Sequence, residues 1–346
     1  MKLAKWCLVC ILLVLSGCTG GATGNTTVSF APAEPAAVTV LPTGEPVDVS
    51  AAKPIVLGFS QLGSESTWRE ANTASIVEAA EEAGITLVMK NAEQSQKKQF
   101  DAIRSFIRSN VDIIAIAPVV QTGWEPILQE IKQAGIPVII LDRSVNVEDS
   151  SLYVTFIGSD FYEEGVKAAK YMLDKMRHHT GEIRIAELQG TVGSTPSIDR
   201  GRGFRDAIKD NTNFRITQSH PADFTKAKGR AVMREFLKLP KDQWPHVLYA
   251  HNDDMAIGAV EAIEEAGLKP GTDIIIISVD GTRRAFEQMI EGTINAVVEC
   301  NPLLGPLLMQ ATKEIIAGRT LPKRMVPPED IFPQELAAAE AGNRKY

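Results

Sequence analysis

Ile139-Ile140-Leu141-Asp142-Arg143 and Ile277-Ser278-Val279-Asp280-Gly281 are two apolar runs that each end on an aspartate. Each closes one half of the chain, Pro54 to Arg143 in the first case and Gly181 to Asp280 in the second. Both halves read in the same order: strand, Gly/Ser loop, helix, strand, helix, strand, helix, strand. Short, continuous apolar strands between helices imply a parallel sheet covered on both faces. The expected fold is α/β: two similar lobes, each with a doubly wound parallel sheet, joined by a multi-strand hinge with a ligand cleft between them. In open sheets of this kind ligands bind beyond the carboxyl ends of the strands. Both aspartates sit there, so the pair reads as a device for gripping a small polar ligand.

In the first half, strands are expected at 55–59, 86–89, 113–117 and 138–141, and helices at 68–83, 96–110 and 125–134. Phe100, Ile103, Phe106 and Ile107 share one face of the second helix. Gly84 and Gly135 stop the first and third. In the second half, strands are expected at 183–188, 214–218, 247–250 and 274–279, and helices at 199–209, 226–239 and 255–266. Residues 152–157 and a helix over 162–178 carry the chain between the halves. A helix over 282–291, a strand over 295–299 and a helix over 302–317 follow. This assigns 53–157 plus 300–320 to an N-terminal lobe and 158–299 plus 321–346 to a C-terminal lobe. More than one crossing between lobes restricts their relative motion to a hinge.

The chain has 346 residues, 44% hydrophobic and 23% charged, which fits a globular body. A net charge of -7 argues against nucleic acid, whose binding is driven by Lys and Arg neutralising phosphates. Residues 1–18 read as a lipoprotein signal peptide. Lys2 and Lys5 flank the start of an apolar run over 6–15 that is too short to span a bilayer. The run ends in Leu15-Ser16-Gly17-Cys18, a lipobox whose Cys18 carries the lipid. The competing reading is an ordinary signal peptide cut near Ala22. Residues 19–52 are rich in Gly, Ala, Thr, Pro and Val, build no core, and read as a flexible tether. Cys7 and Cys10 leave with the signal and Cys18 is lipidated, so only Cys300 remains and no internal disulfide forms. Beside an apolar strand, Cys300 reads as a small core residue.

The strand tips collect the chemistry. In the first half they carry Ser60, Gln61, Ser64, Glu65, Trp68 and Arg69, then Pro118 and Val119, then Asp142 and Arg143. In the second they carry the loop 189–197 leading into Asp199 and Arg200, then Asp223 and Phe224, then His251, Asn252, Asp253 and Asp254, then Asp280, with Glu299 on the late strand. Carboxylates accept from vicinal hydroxyls, guanidiniums donate to ring and hydroxyl oxygens, and aromatic rings cover the C–H face of a sugar. Each charged hydrogen bond contributes roughly 1.5–3 kcal/mol net. Three or four leave the about −8 kcal/mol of a micromolar site after the entropy of association. Any one of these residues also suits a surface role. Asn252 to Asp254 suit the cap of a helix starting at Met255, and Asp142-Arg143 suit a local ion pair.

Catalytic motifs are absent from the sequence: no GxSxG, no GxxxxGK[ST], and no CxxC beyond Cys7 to Cys10, which lies in the signal segment. Gly201-Arg202-Gly203-Phe204-Arg205-Asp206 lacks the third glycine of a dinucleotide loop and falls inside an expected helix. The five histidines are scattered, and His178-His179 suits a helix C-terminus better than a metal. No metal or cofactor is expected. Paired carboxylates across a cleft also suit a glycosidase. The neighbouring arginines, however, are expected to hold them ionised, whereas a general acid needs a raised pKa.

Several longer phrases carry a resemblance: Gly58-Phe59-Ser60-Gln61 with Gly63-Ser64-Glu65-Ser66 and Trp68-Arg69; Ile116-Ala117-Pro118-Val119-Val120; Leu141-Asp142-Arg143-Ser144; Glu187-Leu188-Gln189-Gly190-Thr191-Val192-Gly193; Ile198-Asp199-Arg200; and Tyr249-Ala250-His251-Asn252-Asp253-Asp254-Met255. From Lys53 to about Pro333 the chain resembles the periplasmic sugar-binding proteins of ABC importers, in the ribose-binding branch, and most of all the galactofuranose-binding members. The resemblance implies sugar contacts at Asp142, Arg143, Arg200, Asp223 or Phe224, Asn252, Asp280 and Glu299. Ser60, Glu65, Trp68 and Arg69 are similar to the galactofuranose-type subgroup. Glu299 stands where ribose binders carry an amide. The same fold serves sugar-responsive repressors, which begin with a helix-turn-helix where this chain has its lipobox.

The sequence therefore leads to a monomeric, exported lipoprotein, anchored through Cys18 and facing the periplasm or cell exterior. It closes on a monosaccharide and delivers it to an ABC permease and ATPase complex. The alternative is a sensory receptor for a sugar or autoinducer, read by a chemoreceptor or histidine kinase. A cleft enzyme is the third reading.

Overall fold

The structure, a computed structural model, describes residues 53–346. The lipobox, Cys18 and the tether lie outside the described residues. The first sheet is built from β1 (Val56–Gln61), β2 (Thr86–Asn91), β3 (Ile113–Ile116), β4 (Val138–Leu141) and β5 (Thr155–Ile157). Helices α1 (Thr67–Ala83), α2 (Gln96–Arg108) and α3 (Glu125–Gln133) connect its strands. The chain then crosses to α4 (Phe161–Lys175). The second lobe follows as β6 (Ile183–Gln189), α5 (Thr195–Ile208), β7 (Phe214–Pro221), α6 (Lys226–Phe236), β8 (Val247–Ala250), α7 (Asp253–Glu265), β9 (Ile275–Asp280), α8 (Arg283–Glu291) and β10 (Ala296–Glu299). A second crossing leads to α9 (Gly305–Ile316), which packs on α1, and to β11 (Arg324–Met325). A third leads to β12 (Ile331–Pro333) and the short α10 (Ala337–Glu340).

The two sheets have matching strand orders, β2-β1-β3-β4-β5-β11 and β7-β6-β8-β9-β10-β12. All pairings are parallel except that of β12 with β10. This is a doubly wound order whose switch point lies beside the first strand of each lobe. Strands β3, β4 and β8 are buried at every residue, as a sheet covered on both faces requires. Trp124, Phe106 and Ile103 fill one face of the first sheet; Phe286, Met289 and Met255 fill one face of the second, and Phe204, Tyr249 and Met172 the other.

The internal repeat extends to the turns. Glu93 and Gln94 precede α2 with φ of 50° and 62°, and Asp223 and Phe224 precede α6 with the same pair of values. Ser95 and Thr225 then cap the two helices by accepting from Lys98 N and Lys228 N.

Three expectations change. Strand β1 runs to Gln61, because Ser60 pairs with Ile116 and Gln61 with Asn91, so Ser60 is a fully buried sheet residue rather than a loop residue. Helix α5 starts a turn early at Thr195, with Pro196 in its first turn, where a missing N–H costs no helical bond. Residues 324–325, expected in the C-terminal lobe, pair with β5 in the first sheet, since Gly158 N and Phe156 N donate to Met325 and Lys323 carbonyls.

Candidate functional site

The carboxyl ends of both sheets face one cavity. Glu65, Trp68, Arg69, Asp142 and Arg143 reach it from the first lobe, and Arg200, Phe224, Asn252 and Asp280 from the second.

On the first lobe, Ser66 caps α1 by accepting from Arg69 N at 3.1 Å, which fixes the first turn of the helix that carries Trp68 and Arg69. Arg69 Nη2 donates to Asp142 Oδ2 at 2.6 Å and Arg69 Nε to Glu65 Oε1 at 3.3 Å. Asp142 holds φ at 62°, a left-handed conformation that aspartate tolerates, and its N–H donates to Ile157 O. Arg143 Nη1 donates to Val119 O at 3.0 Å, and its Nη2 lies 3.5 Å from Glu65 Oε1. Its Nε is buried and has no hydrogen-bond partner among the described residues. Burial and the neighbouring Arg69 bring the Arg143 pKa down to about 10. Burial works the other way on Glu65, but Arg69 and Arg143 outweigh it and hold that carboxyl below its ordinary value.

On the second lobe, Arg200 is buried on α5. Its Nη1 donates to His251 O at 2.5 Å, its Nε to Glu164 Oε2 at 2.6 Å, and its Nη2 lies 3.8 Å from Asp280 Oδ1. Burial opposes its charge, yet Glu164, Cys300 and Asp280 together outweigh it and hold its pKa well above the ordinary value. Asp280 behaves differently. Its burial outweighs Arg200, and its pKa is pushed well above the carboxylate range. The expectation that the arginines offset burial is not met at Asp280, where Arg200 lowers the pKa but burial raises it more. Asn252 is both cap and wall: its Oδ1 accepts from Met255 N and its Nδ2 donates to Phe224 O, each at 3.1 Å.

The lobes touch at the cleft mouth. Asp254 accepts from Thr67 N at 2.8 Å and from Thr67 Oγ1 at 3.2 Å. Gln121 N donates to Gly193 O at 2.9 Å and Ser144 N to Thr195 Oγ1 at 3.1 Å. The Arg143 guanidinium lies 5.3 Å from the Phe224 ring centroid, across the cleft.

Three expected residues stand outside the cavity lining. Ser60 lies within β1. Asp223 turns outward into an ion pair with Lys228. Glu299 ends β10 as expected, but its carboxylate is taken by Arg344 at 2.7 Å. Ser66, Phe161, Pro196 and Cys300 line the cavity without having been singled out. Phe161 opens α4 immediately after the first crossing, where the Arg200 guanidinium lies 5.2 Å from its ring centroid. A signal for it existed: it follows a strand tip, like the others. Cys300 follows β10 in the same way.

Two six-stranded lobes, a three-segment hinge and a polar cavity between opposed strand tips define a two-lobed ligand-binding protein. The chain belongs to the periplasmic binding protein family, whose domain matches residues 57–320. It is 44% identical to the galactofuranose-binding protein YtfQ of Escherichia coli K12, over 79% of this chain and 86% of that one. A crystal structure from Mycobacterium smegmatis in complex with β-D-fucofuranose is 50% identical, with a TM-score of 0.82, over 84% of this chain and 95% of that one. The periplasmic binding protein of the arabinose ABC transporter of Shewanella sp. ANA-3, bound to α- and β-L-arabinofuranose, is 47% identical, with a TM-score of 0.81 over 84% and 95%.

Proposed function

We propose that this chain is the substrate-binding protein of an ABC sugar importer, that its ligand is a monosaccharide in furanose form, and that a lipid on Cys18 anchors it to the outer side of the membrane. One observation carries the reading: each lobe brings an aspartate and an arginine to the same cavity, Asp142 with Arg143 and Asp280 with Arg200. A ligand touching both sets makes its full complement of bonds only when the lobes are together, so binding favours closure. Trp68, Phe161 and Phe224 give the cavity apolar faces for the sugar's C–H groups. The furanose form is supported by similar proteins described with galactofuranose, fucofuranose and arabinofuranose.

The closed protein then presents its sugar to the permease and ATPase complex, which separates the lobes again. On this reading the chain is not an enzyme and the sugar leaves as it entered. Asp142 and Asp280 then meet the sugar's hydroxyl groups from opposite lobes.

A thermal-shift panel with L-arabinose, D-galactose, D-fucose, D-ribose and D-fructose tests the reading. At a hundredfold excess over Kd a ligand adds about 2.7 kcal/mol of stability. The expected result is a clear rise in Tm with sugars that adopt the matching furanose, and chromatographic recovery of the sugar unchanged. No rise with any sugar, or recovery of a converted product, overturns it.

A further inference from the structure

Beside the cavity, but not lining it, a polar cluster joins the last described residues to the end of β10. Glu299 Oε1 accepts from Arg344 Nη1 at 2.7 Å and from the Tyr346 hydroxyl at 3.3 Å. Arg344 is 9% exposed, and its guanidinium lies 4.9 Å and 4.5 Å from the ring centroids of Phe286 and Phe332. Its carbonyl accepts from Arg283 Nη2 at 2.8 Å, and the Tyr346 carbonyl accepts from Arg283 N at 2.6 Å. Residues 344–346 are thus bonded to β10 and to the start of α8 at once.

Between those two anchors lies the turn Asp280-Gly281-Thr282. Asp280 holds φ at 124°, a conformation that residues with a Cβ rarely adopt and that surrounding structure must impose. From one side Asp253 imposes it, accepting from Gly281 N at 2.9 Å and Thr282 N at 2.8 Å. From the other side the segment 344–346 lies on the turn. A Cβ placed on Gly281 would stand 3.6 Å from the Tyr346 hydroxyl oxygen and 3.7 Å from Arg344 Nη1. Asp280 and Glu299 are also register partners in β9 and β10, and Cys300 N donates to Asp280 O at 2.9 Å.

We infer that Arg344 and Tyr346 are positioning residues that act through Glu299 to hold the Asp280 turn for the sugar, and that Glu299 receives this segment rather than the ligand. The inference rests on the sugar-binding reading above. It explains why a carboxylate occupies this position: a buried guanidinium needs a close charged acceptor, and Glu299 at 2.7 Å supplies it where Glu340 Oε2 stands off at 3.9 Å.

The test is a double-mutant cycle in the full chain: wild type, Glu299→Gln, Arg344→Met and the double variant, with Arg344→Lys as the conservative control. Kd for L-arabinose and D-galactose is measured by calorimetry. Hydrogen exchange over residues 281–283 is measured in the same proteins without sugar. Each single change is expected to weaken binding roughly five- to tenfold, and the double change no more than the worse single, because both break one unit. Arg344→Lys is expected to recover part of the loss, and exchange at 281–283 to quicken in Glu299→Gln and Arg344→Met. Wild-type affinity in Arg344→Met overturns the inference. So do losses that multiply in the double variant, which would mean that Glu299 meets the sugar on its own. A wild type that binds neither sugar strikes the reading beneath it. The exchange arm then decides the positioning role alone, quickened exchange supporting it and unchanged exchange overturning it.

Discussion

Arg200 shows how one side chain serves two ends. It neutralises Glu164 behind the site and faces Asp280 within it, while His251 O fixes its plane. Removing it leaves the buried Glu164 without its cation. Arg200→Ala is therefore expected to destabilise the protein by about 3–5 kcal/mol in denaturant unfolding, beyond any loss of ligand. A variant as stable as wild type would show that Glu164 finds another partner. The sequence made Asp142, Arg143 and Asp280 visible because they stand at strand ends, and Arg200 because it follows the loop after β6. It did not make Glu164 visible. Glu164 lies in the first turn of α4 and meets Arg200 only through the packing of α4 on α5. Nor did it show Asp223 and Glu299 turning to Lys228 and Arg344, since the first depends on the local turn into α6 and the second on a partner 45 residues away.

That packing of α4 on α5 is the element on which the second-lobe arginine depends. A Cβ on Gly165 would meet the Arg200 carbonyl oxygen at 2.1 Å, and one on Gly203 would meet the Tyr162 carbonyl oxygen at 2.0 Å. The two helices cross with backbone against backbone, and only glycine permits it. Gly203 had stood out in the sequence as part of an incomplete dinucleotide loop; its function is instead this crossing. Gly203→Ala is expected to cost about 1–3 kcal/mol by overpacking and to weaken sugar affinity, because separating α4 from α5 moves Arg200 off Glu164. Thermal melts and calorimetry read the two effects. A variant with unchanged affinity would mean that the helices part without moving Arg200. The helices α1 to α9 were legible from apolar spacing, from the stops at Gly84 and Gly135 and from the cap at Asn252, while α10 was not expected. The close crossing was not, because one glycine in a helical pattern looks the same whether it faces solvent or a neighbour.

The whole molecule is a repeat closed on itself. Its two-lobed plan was readable from two apolar runs ending in aspartate, because a parallel sheet forces strand ends to one side. The hinge was less readable. Glu329 joins its three segments, its Oε1 accepting from Ser159 Oγ at 2.5 Å and from Asn301 N at 2.8 Å, and nothing in the Pro-rich exit marks it. Around it stand Glu164 and Lys167 of α4, Arg200 of α5, and Cys300. Burial first, then Glu164, push the Glu329 pKa from 4.5 up to about 8. An acid raised in the folded state contributes stability that is present below pH 4.5 and lost as pH rises through 8. The Tm is therefore expected to fall across that window and the fall to flatten in Glu329→Gln; equal slopes would remove Glu329 from the hinge's titration. The central claim, that both lobes grip one sugar through opposed aspartates, is tested most directly by a calorimetric titration of L-arabinose into the wild type, Asp142→Ala and Asp280→Ala. The account predicts one site per chain, with a Kd of about 1 µM or tighter, corresponding to about −8 kcal/mol. It predicts that this site is lost in both variants while their circular dichroism stays native. Wild-type affinity in both variants would contradict it.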